Sequence, residues 1–239
     1  MGQNEPMAST LTVIVPVGPG DDAWRGLLPS LGALPRDAAL RLVACRAQDV
    51  DETAMAARGT LPADRGWLVA ARGRARQLNA GARATRGDRL WFLHADTRFD
   101  DSTAAIAALG CTLDRDPGAL GYFDLRFDGD GPAATTINAC GAWIRSHWLG
   151  LPFGDQGLFL ARDTFERLGG FDETLASAED HALIWRARAN GVALRAAGAT
   201  LRTSARRYAE QGWARTTARH LMLTATQAWR FSRARAPDA

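Results

Sequence analysis

The stretch from Arg72 to Thr97, RGRARQLNAGARATRGDRLWFLHADT, decides how the whole chain reads. Its second half opens with Arg89-Leu90-Trp91-Phe92-Leu93, a short apolar run of buried-strand type that stops at His94-Ala95-Asp96. In an open α/β sheet, ligands sit at the carboxyl ends of strands. A carboxylate just past a dry strand can therefore face a cleft and hold a metal on a phosphate. The first half predicts a helix over Arg74 to Arg86, with Leu78, Ala82 and Thr85 on one face and Gly87-Asp88 as the stop. Arg72, Arg74 and Arg76 crowd its start, where the helix dipole prefers anions. Such a cluster serves either as a solvated face or as a seat for a phosphorylated ligand.

Working outward, strands and helices alternate. Leu11 to Val17 is a nearly continuous apolar run, as a central parallel strand requires. Gly18-Pro19-Gly20-Asp21-Asp22 is a turn, with Asp21 or Asp22 placed to cap a helix over Ala23–Leu31. Strands follow at Leu40–Cys45 and Trp67–Ala70, separated by a helix over Gln48–Ala57. The second half predicts helices over Asp101–Leu113, Ala133–Trp148, Asp163–Leu168 and Ser177–Asn190. Strands are expected at Ala119–Phe127, Leu158–Leu160 and Val192–Ala196, with a loop over Gly150–Gly157. This order predicts an α/β fold, a mostly parallel, Rossmann-like central sheet flanked by helices. Residues 1–9 read as a disordered tail, 10–208 as the catalytic-type domain and 209–239 as a C-terminal helical segment.

The 239 residues suffice for one large α/β domain, and 46% hydrophobic with 23% charged residues is ordinary for a globular protein. A net charge of +3 does not suit a general nucleic-acid binder. All 29 basic residues are arginine, which excludes Schiff-base chemistry and a P-loop lysine. Cys45, Cys111 and Cys140 form neither a zinc pattern nor a disulfide framework, which favours a reducing, cytoplasmic setting. The polar N-terminus does not read as a signal peptide, and no apolar run reaches the roughly 18 residues of a membrane span. Between Gln211 and Arg235, Leu221, Met222, Ala225 and Trp229 share a helical face among Arg215, Arg219, Arg230, Arg233 and Arg235. Such a helix either lies on the inner face of an anionic membrane or packs on the core or a second subunit.

Three polar clusters could carry chemistry: His94-Ala95-Asp96, Gly154-Asp155-Gln156-Gly157 and Glu179-Asp180-His181. Moving a group off a nucleoside diphosphate needs a divalent cation and cationic side chains on the leaving diphosphate. It also needs a carboxylate across the cleft to take a proton from the attacking hydroxyl. Mg²⁺ and Mn²⁺ bind through one or two carboxylates plus substrate phosphates. Asp96 fits the metal role, and Asp180 or Glu179 the base role.

These pieces, in order, resemble the family 2 glycosyltransferases of GT-A fold, most closely the small group found beside radical-SAM and selenoprotein-related genes. The matching segments are Thr12–Val17, Gly73–Ala82, Leu93-His94-Ala95-Asp96-Thr97, Pro152–Gly157, Leu168–Phe171, Glu179-Asp180 and Thr203–Arg207. The resemblance implies an inverting, hexosyltransferase-type transfer from a nucleotide-sugar donor, with Mg²⁺ or Mn²⁺. Asp96 would be the metal ligand of the DxD-type motif, with His94 in the place of its first acid. Asp180 would be the base, beside Glu179. Pro16 and Val17 would lie beside the nucleobase, and Arg72 and Gln77 near the nucleotide. Asp155 and Gln156 would line the acceptor side. Arg206 and Arg207 would meet the diphosphate or a phosphorylated acceptor, since the guanidinium fork matches phosphate oxygens. The acceptor is not identified by the sequence; the C-terminal helix raises a lipid-linked one.

The chain departs from the family pattern after the second strand. The usual Asp-Gly-Gly-Ser-Thr-Asp turn is replaced by Ala44-Cys45-Arg46-Ala47-Gln48-Asp49-Val50-Asp51-Glu52, leaving Asp49 or Asp51 as substitutes on the nucleotide. Two rival readings follow: a nucleotidyltransferase acting on a sugar phosphate, and a nucleotide-sugar-binding module that no longer catalyses. Against the first, Asp21-Asp22 puts negative charge where a triphosphate would sit.

Overall fold

A computed structural model describes residues 10–56 and 65–233. The expected N-terminal tail, the end of the helix expected at Gln48–Ala57 and the last residues of the C-terminal segment lie outside the described residues. In chain order the elements are β1 (Leu11–Val17), α1 (Trp24–Leu31), β2 (Ala39–Ala44), α2 (Glu52–Ala56), β3 (Arg65–Val69), α3 (Arg74–Arg83), β4 (Arg89–Phe92) and β5 (Arg98–Phe99). Then come α4 (Ser102–Arg115), β6 (Leu120–Phe127), α5 (Thr135–His147), β7 (Phe159–Ala161), α6 (Arg162–Arg167), α7 (Glu179–Ala189), β8 (Leu194–Thr203), α8 (Arg206–Gln211) and α9 (Trp213–Arg233).

The strands form one sheet in the order β3-β2-β1-β4-β7-β6-β8-β5. From β3 to β4 every pairing is parallel. Beyond β4 the sheet is mixed: β7 runs antiparallel to β4 and β6, β8 runs parallel to β6, and β5 runs antiparallel to β8. The middle of the sheet is dry on both faces because its strands alternate between two cores. Val13, Val15 and Val17 of β1 join Trp24 and Leu27 of α1 and Leu109 and Leu113 of α4 on one side. Ile14, between them, joins Ala75, Leu78 and Ala82 of α3 and Leu183 of α7 on the other. The architecture is thus α/β, helices on both faces of a central sheet.

Two elements differ from expectation in ways that matter for the site. The last strand runs to Thr203 rather than ending at Ala196. Gly198, with φ of +73°, and a register shift against β6 near Tyr122 and Asp124 break the apolar alternation that marks a strand. The chain beyond Thr203 turns into α8, which crosses the boundary drawn at residue 208. Asp101 caps α4, its carboxylate accepting from the Ala104 N–H at 2.9 Å.

Candidate active site

A cavity of about 560 Å³ opens at the carboxyl ends of β1 and β4. Pro16, near the end of β1, and His94 and Asp96, just past β4, form its floor. Arg74 and Gln77 of α3 make one wall. Asp155 makes another, and Arg206, Arg207 and Tyr208 of α8 with Thr203 of β8 close the remainder. The sheet brings together residues spread from position 16 to position 210, because parallel strands end on the same edge.

Asp96 sits on the turn closed by the Thr97 N–H to the His94 carbonyl at 3.2 Å. Its Oδ2 accepts from the Thr203 hydroxyl at 3.2 Å, and its Oδ1 lies 4.0 Å from Nδ1 of His94. Arg74 donates to Nε2 of His94. A guanidinium only donates, so Nε2 accepts and the neutral ring carries its proton on Nδ1. Burial, reinforced by the Arg74 charge, holds His94 well below its ordinary pKa, which keeps the ring neutral. His94 therefore presents an N–H toward Asp96 rather than a lone pair for a metal.

Among the described residues, no group of three or more His, Cys, Asp or Glu side chains is arranged to hold a metal ion. Asp96 nevertheless suits a hard cation: it is a cavity-facing carboxylate whose near neighbours are one hydroxyl and one neutral imidazole. One carboxylate completed by donor phosphates is an ordinary Mg²⁺ arrangement.

The opposite wall is built on Gly154–Gln156, a single tight helical turn. The Gly154 N–H donates to Oδ2 of Asp180 at 2.6 Å, and the His181 N–H donates to Oδ1 at 2.8 Å. A Cβ at Gly154 would come within 2.7 Å of Arg74 Nη2 and 2.9 Å of Asp180 Oδ2, so only glycine lets the loop approach this closely. Asp180 stands behind Gly154 and Arg74 rather than on the cavity surface. Burial would raise its pKa, but Arg74, the His181 charge and the two N–H donors outweigh that and hold it below the ordinary value. Glu179 is buried at 5% exposure and pairs with Nε of Arg74 at 3.1 Å. Burial still raises its pKa against that pairing.

Asp155 is the contrasting carboxylate. Its Oδ1 is shut off from solvent and has no hydrogen-bond partner among the described residues. Burial, opposed by Arg145 and aided by the charge on Asp180, pushes it up to about 6. Immediately before α7, Ala178 has φ of +70°, the one left-handed non-glycine residue among the described residues. The turn that delivers Glu179 and Asp180 is therefore held in a strained conformation.

Several expected site residues are used otherwise. Gln156 is fully buried: its Nε2 donates to the Phe123 carbonyl at 2.9 Å, and its Oε1 accepts from Ser146, Arg145 and the Phe153 N–H. It holds the loop and does not reach the acceptor side. Val17 turns its side chain into the core at 0% exposure. Asp49 accepts a two-pronged bond from Arg46, both contacts at 2.7 Å, and one from the Gly20 N–H at 3.2 Å. It braces the turn after β2 against the turn after β1 and does not line the cavity. Arg72 is exposed and off the cavity. Gln77 borders the cavity, but its amide nitrogen is engaged by the Val17 carbonyl at 2.9 Å and the Val43 carbonyl at 2.6 Å.

Of the three arginines at the start of α3, Arg74 lines the cavity, whereas the resemblance places Arg72 near the nucleotide. The available signal was Gly73, whose φ of +132° turns the chain so that the next residue opens the helix facing the strand ends. Tyr208 is not among the residues the sequence marks, and Thr203 enters there only as the start of a matching segment with no role, because the end of β8 and the start of α8 have no local signal.

No protein-family model matches the chain, and no curated protein matches it. Among solved structures, it is similar to S. aureus TarS 1-349, with a TM-score of 0.60 and 16% identity over 82% of this chain and 60% of that one. The same fragment in complex with UDP aligns with a TM-score of 0.59, also at 16% identity and the same coverage. The mannosyltransferase PcManGT from Pyrobaculum calidifontis, in complex with GDP-Man and Mn²⁺, aligns with a TM-score of 0.66 and 18% identity over 95% of this chain and 68% of that one. The chain spans about 60% of the length of the TarS structure it matches. These likenesses establish the fold as GT-A-like.

Proposed function

We propose that this chain is an inverting glycosyltransferase of family 2 type, moving a sugar from a nucleoside diphosphate to a hydroxyl acceptor with Mg²⁺ or Mn²⁺. The observation that carries the reading is the make-up of one cavity at the strand ends. The Asp96 carboxylate and the arginines 74, 206 and 207 border it, with Asp155 on its surface and Asp180 directly behind. The GT-A-like fold, and structural neighbours solved with UDP or with GDP-Man and Mn²⁺, support it. Membership of family 2 and of its radical-SAM-associated group rests on the motif order.

In this reading the acceptor oxygen attacks the anomeric carbon from the side opposite the diphosphate. The bond to the diphosphate oxygen breaks and the electron pair leaves with it. Asp96 is the residue that would hold a divalent cation, which would supply charge neutralisation for that departure. Arg74, Arg206 and Arg207 offer guanidinium forks to the same oxygens. The Thr203 hydroxyl, donating to Oδ2 of Asp96 at 3.2 Å, orients that carboxylate.

Following the family resemblance, the proton of the acceptor goes to Asp180, which the Gly154 loop separates from the cavity surface in this structure. Its low pKa keeps it ionised at neutral pH, and each carboxylate oxygen has a second lone pair beyond the N–H bond it already accepts. Asp155, which lines the cavity, accepts a hydrogen bond from the acceptor hydroxyl in this reading. A second assignment exchanges these roles, and the place of Asp155 on the cavity lining and its raised pKa favour it. Asp180→Asn and Asp155→Asn variants separate the two. The base variant loses turnover by about a hundredfold or more with nucleotide affinity kept, whereas the orienting variant mainly raises KM for the acceptor.

The reading is tested by calorimetry with UDP, GDP and dTDP and their sugars, with and without Mn²⁺, followed by assays for hydrolysis and transfer. Absence of any Mn²⁺-dependent nucleotide binding overturns it. Binding with neither hydrolysis nor transfer reassigns the chain to a nucleotide-sugar-binding module.

A further inference from the structure

Among the described residues, no helix is long and apolar enough to cross a membrane. Two helices nevertheless carry large apolar side chains in solvent. On α5, Ile137 is 64% exposed, Ile144 49% and Trp148, just after its end, 77%. Their spacing of seven and then four residues puts them on one face. Leu149 follows at 58%. On α9, Leu221, Met222 and Trp229 are 66%, 63% and 60% exposed.

The apolar stripe of α9 is not the side by which the helix is held. Thr216 is buried at 2% exposure, and Trp213 and Thr217 are half-buried. The helix is fastened to α5 there: Nδ2 of Asn138 donates to the Thr217 hydroxyl at 3.0 Å, and Nε1 of Trp213 donates to Oδ1 of Asn138 at 2.6 Å. The two helices therefore meet at this junction, and each exposes large apolar side chains.

Their charges are of one sign. The sequence TTINACGAWIRSH of α5 contains no acidic residue. WARTTARHLMLTATQAWRFSR of α9 contains none either, but it has four arginines, of which Arg215 and Arg219 are exposed. Among 26 acidic residues in the chain, none falls on these two helices. A protein partner recognised through apolar contact alone would not require that depletion. An anionic surface that is itself apolar just below its charges does. Tryptophan is also the side chain best suited to the boundary between headgroups and acyl chains.

We propose that α5 and α9 together form a docking surface for an anionic lipid bilayer, with Ile144, Trp148, Leu221, Met222 and Trp229 entering the interface and Arg215 and Arg219 meeting headgroup phosphates. The attachment is peripheral and reversible. It follows from the exposed stripes and their charge, and it stands whether or not the cavity transfers sugar.

The test is flotation of the full chain on sucrose gradients with vesicles of phosphatidylcholine alone and of phosphatidylcholine with phosphatidylglycerol. The expected result is partitioning at least about tenfold stronger on the anionic vesicles, weakened by salt as headgroup attraction is screened. Trp148→Ser with Met222→Ser, and separately Arg215→Glu with Arg219→Glu, each reduce it about tenfold or more while circular dichroism and Tm stay unchanged. These positions are exposed, so the fold does not depend on them. Absence of flotation, equal flotation on neutral vesicles, or wild-type flotation of both variants overturns the proposal. So does concentration-dependent dimerisation in light scattering that Trp148→Ser abolishes without vesicles present, which would make the surface a contact between copies of the chain.

Discussion

The backbone N–H of Gly154 and the carboxylate of Asp180 are joined at 2.6 Å, which welds the loop on one wall of the cavity to the first turn of α7. The contact leaves no room for a side chain at 154, since a Cβ would press on both Arg74 and Asp180. Gly154→Ala is therefore expected to displace the Asp180 carboxylate, lowering transfer about tenfold or more. Gly154 is buried, so the overlap with Arg74 and Asp180 also costs stability, and Tm is expected to fall by several degrees. Steady-state rates and a thermal melt on the same preparation check this.

Asp96 is expected to carry the metal response. Asp96→Asn keeps the hydrogen bond from Thr203 but removes the charge. Calorimetry should show that Mn²⁺ no longer strengthens nucleoside diphosphate binding, a loss of at least about tenfold, while the metal-free affinity changes little. An unaltered Mn²⁺ effect in this variant would place the ion elsewhere.

Asp155 predicts a pH dependence of stability. Its pKa in the folded chain, about 6, lies above the ordinary 3.8. Between those values the native state binds a proton that the unfolded chain has released. Stability is therefore greatest below the lower value and declines as pH rises through about 6, by roughly 1–3 kcal/mol. The groups that set this are Arg145 and Arg74, which oppose the shift, and Asp180 and Asp96, which add to it. Asp155→Asn should flatten the decline and leave the protein more stable than wild type at pH 8, measured by urea unfolding across pH 4–8.

Arg74 and Glu179 are a coupled pair. Removing the guanidinium with Arg74→Ala leaves Glu179 buried without its cation, and a cost of about 2–4 kcal/mol is expected. Adding Glu179→Gln to that variant should recover part of the loss, because the neutral amide is cheaper to bury. Urea unfolding of the two single variants and the double variant reads the coupling directly.

Ala178 offers a gain. With φ of +70°, it occupies a region that glycine reaches without a Cβ penalty. Ala178→Gly is expected to stabilise the chain by about 0.5–1 kcal/mol, read as a rise in the urea midpoint. Relief of the strain at the turn before Glu179 and Asp180 is also expected to lower turnover.

Much of the fold was legible because it depends on local pattern. The runs Leu11–Val17 and Arg89–Leu93 contain the residues that both cores bury, and α3 begins at Arg74 as its periodicity predicts. The strand ending at Thr203 was cut short in the reading. It is half-buried along much of its length and broken by Gly198, so neither strict alternation nor an apolar run marks it. Strand β5 is two residues long and leaves no periodic signature at all.

At the site, His94, Asp96 and Asp155, read from residue type, and Arg206 and Arg207, implied by the family resemblance, all line one cavity. Sequence alone could not distinguish Arg72 from Arg74, because two positions along the chain separate a solvated side chain from one aimed at the strand ends. Nor could it show that Gln156 and Asp49 spend their polar atoms on the protein itself.

What the order of amino acids determined by itself was the alternation of strand and helix and the chemistry placed at the strand ends, since hydrophobic period and glycine position act over a few residues. What only the tertiary structure decided was which polar atoms remained for a ligand. A buried hydrogen bond is settled by partners far apart in sequence, as Gly154 with Asp180 and Thr203 with Asp96 show.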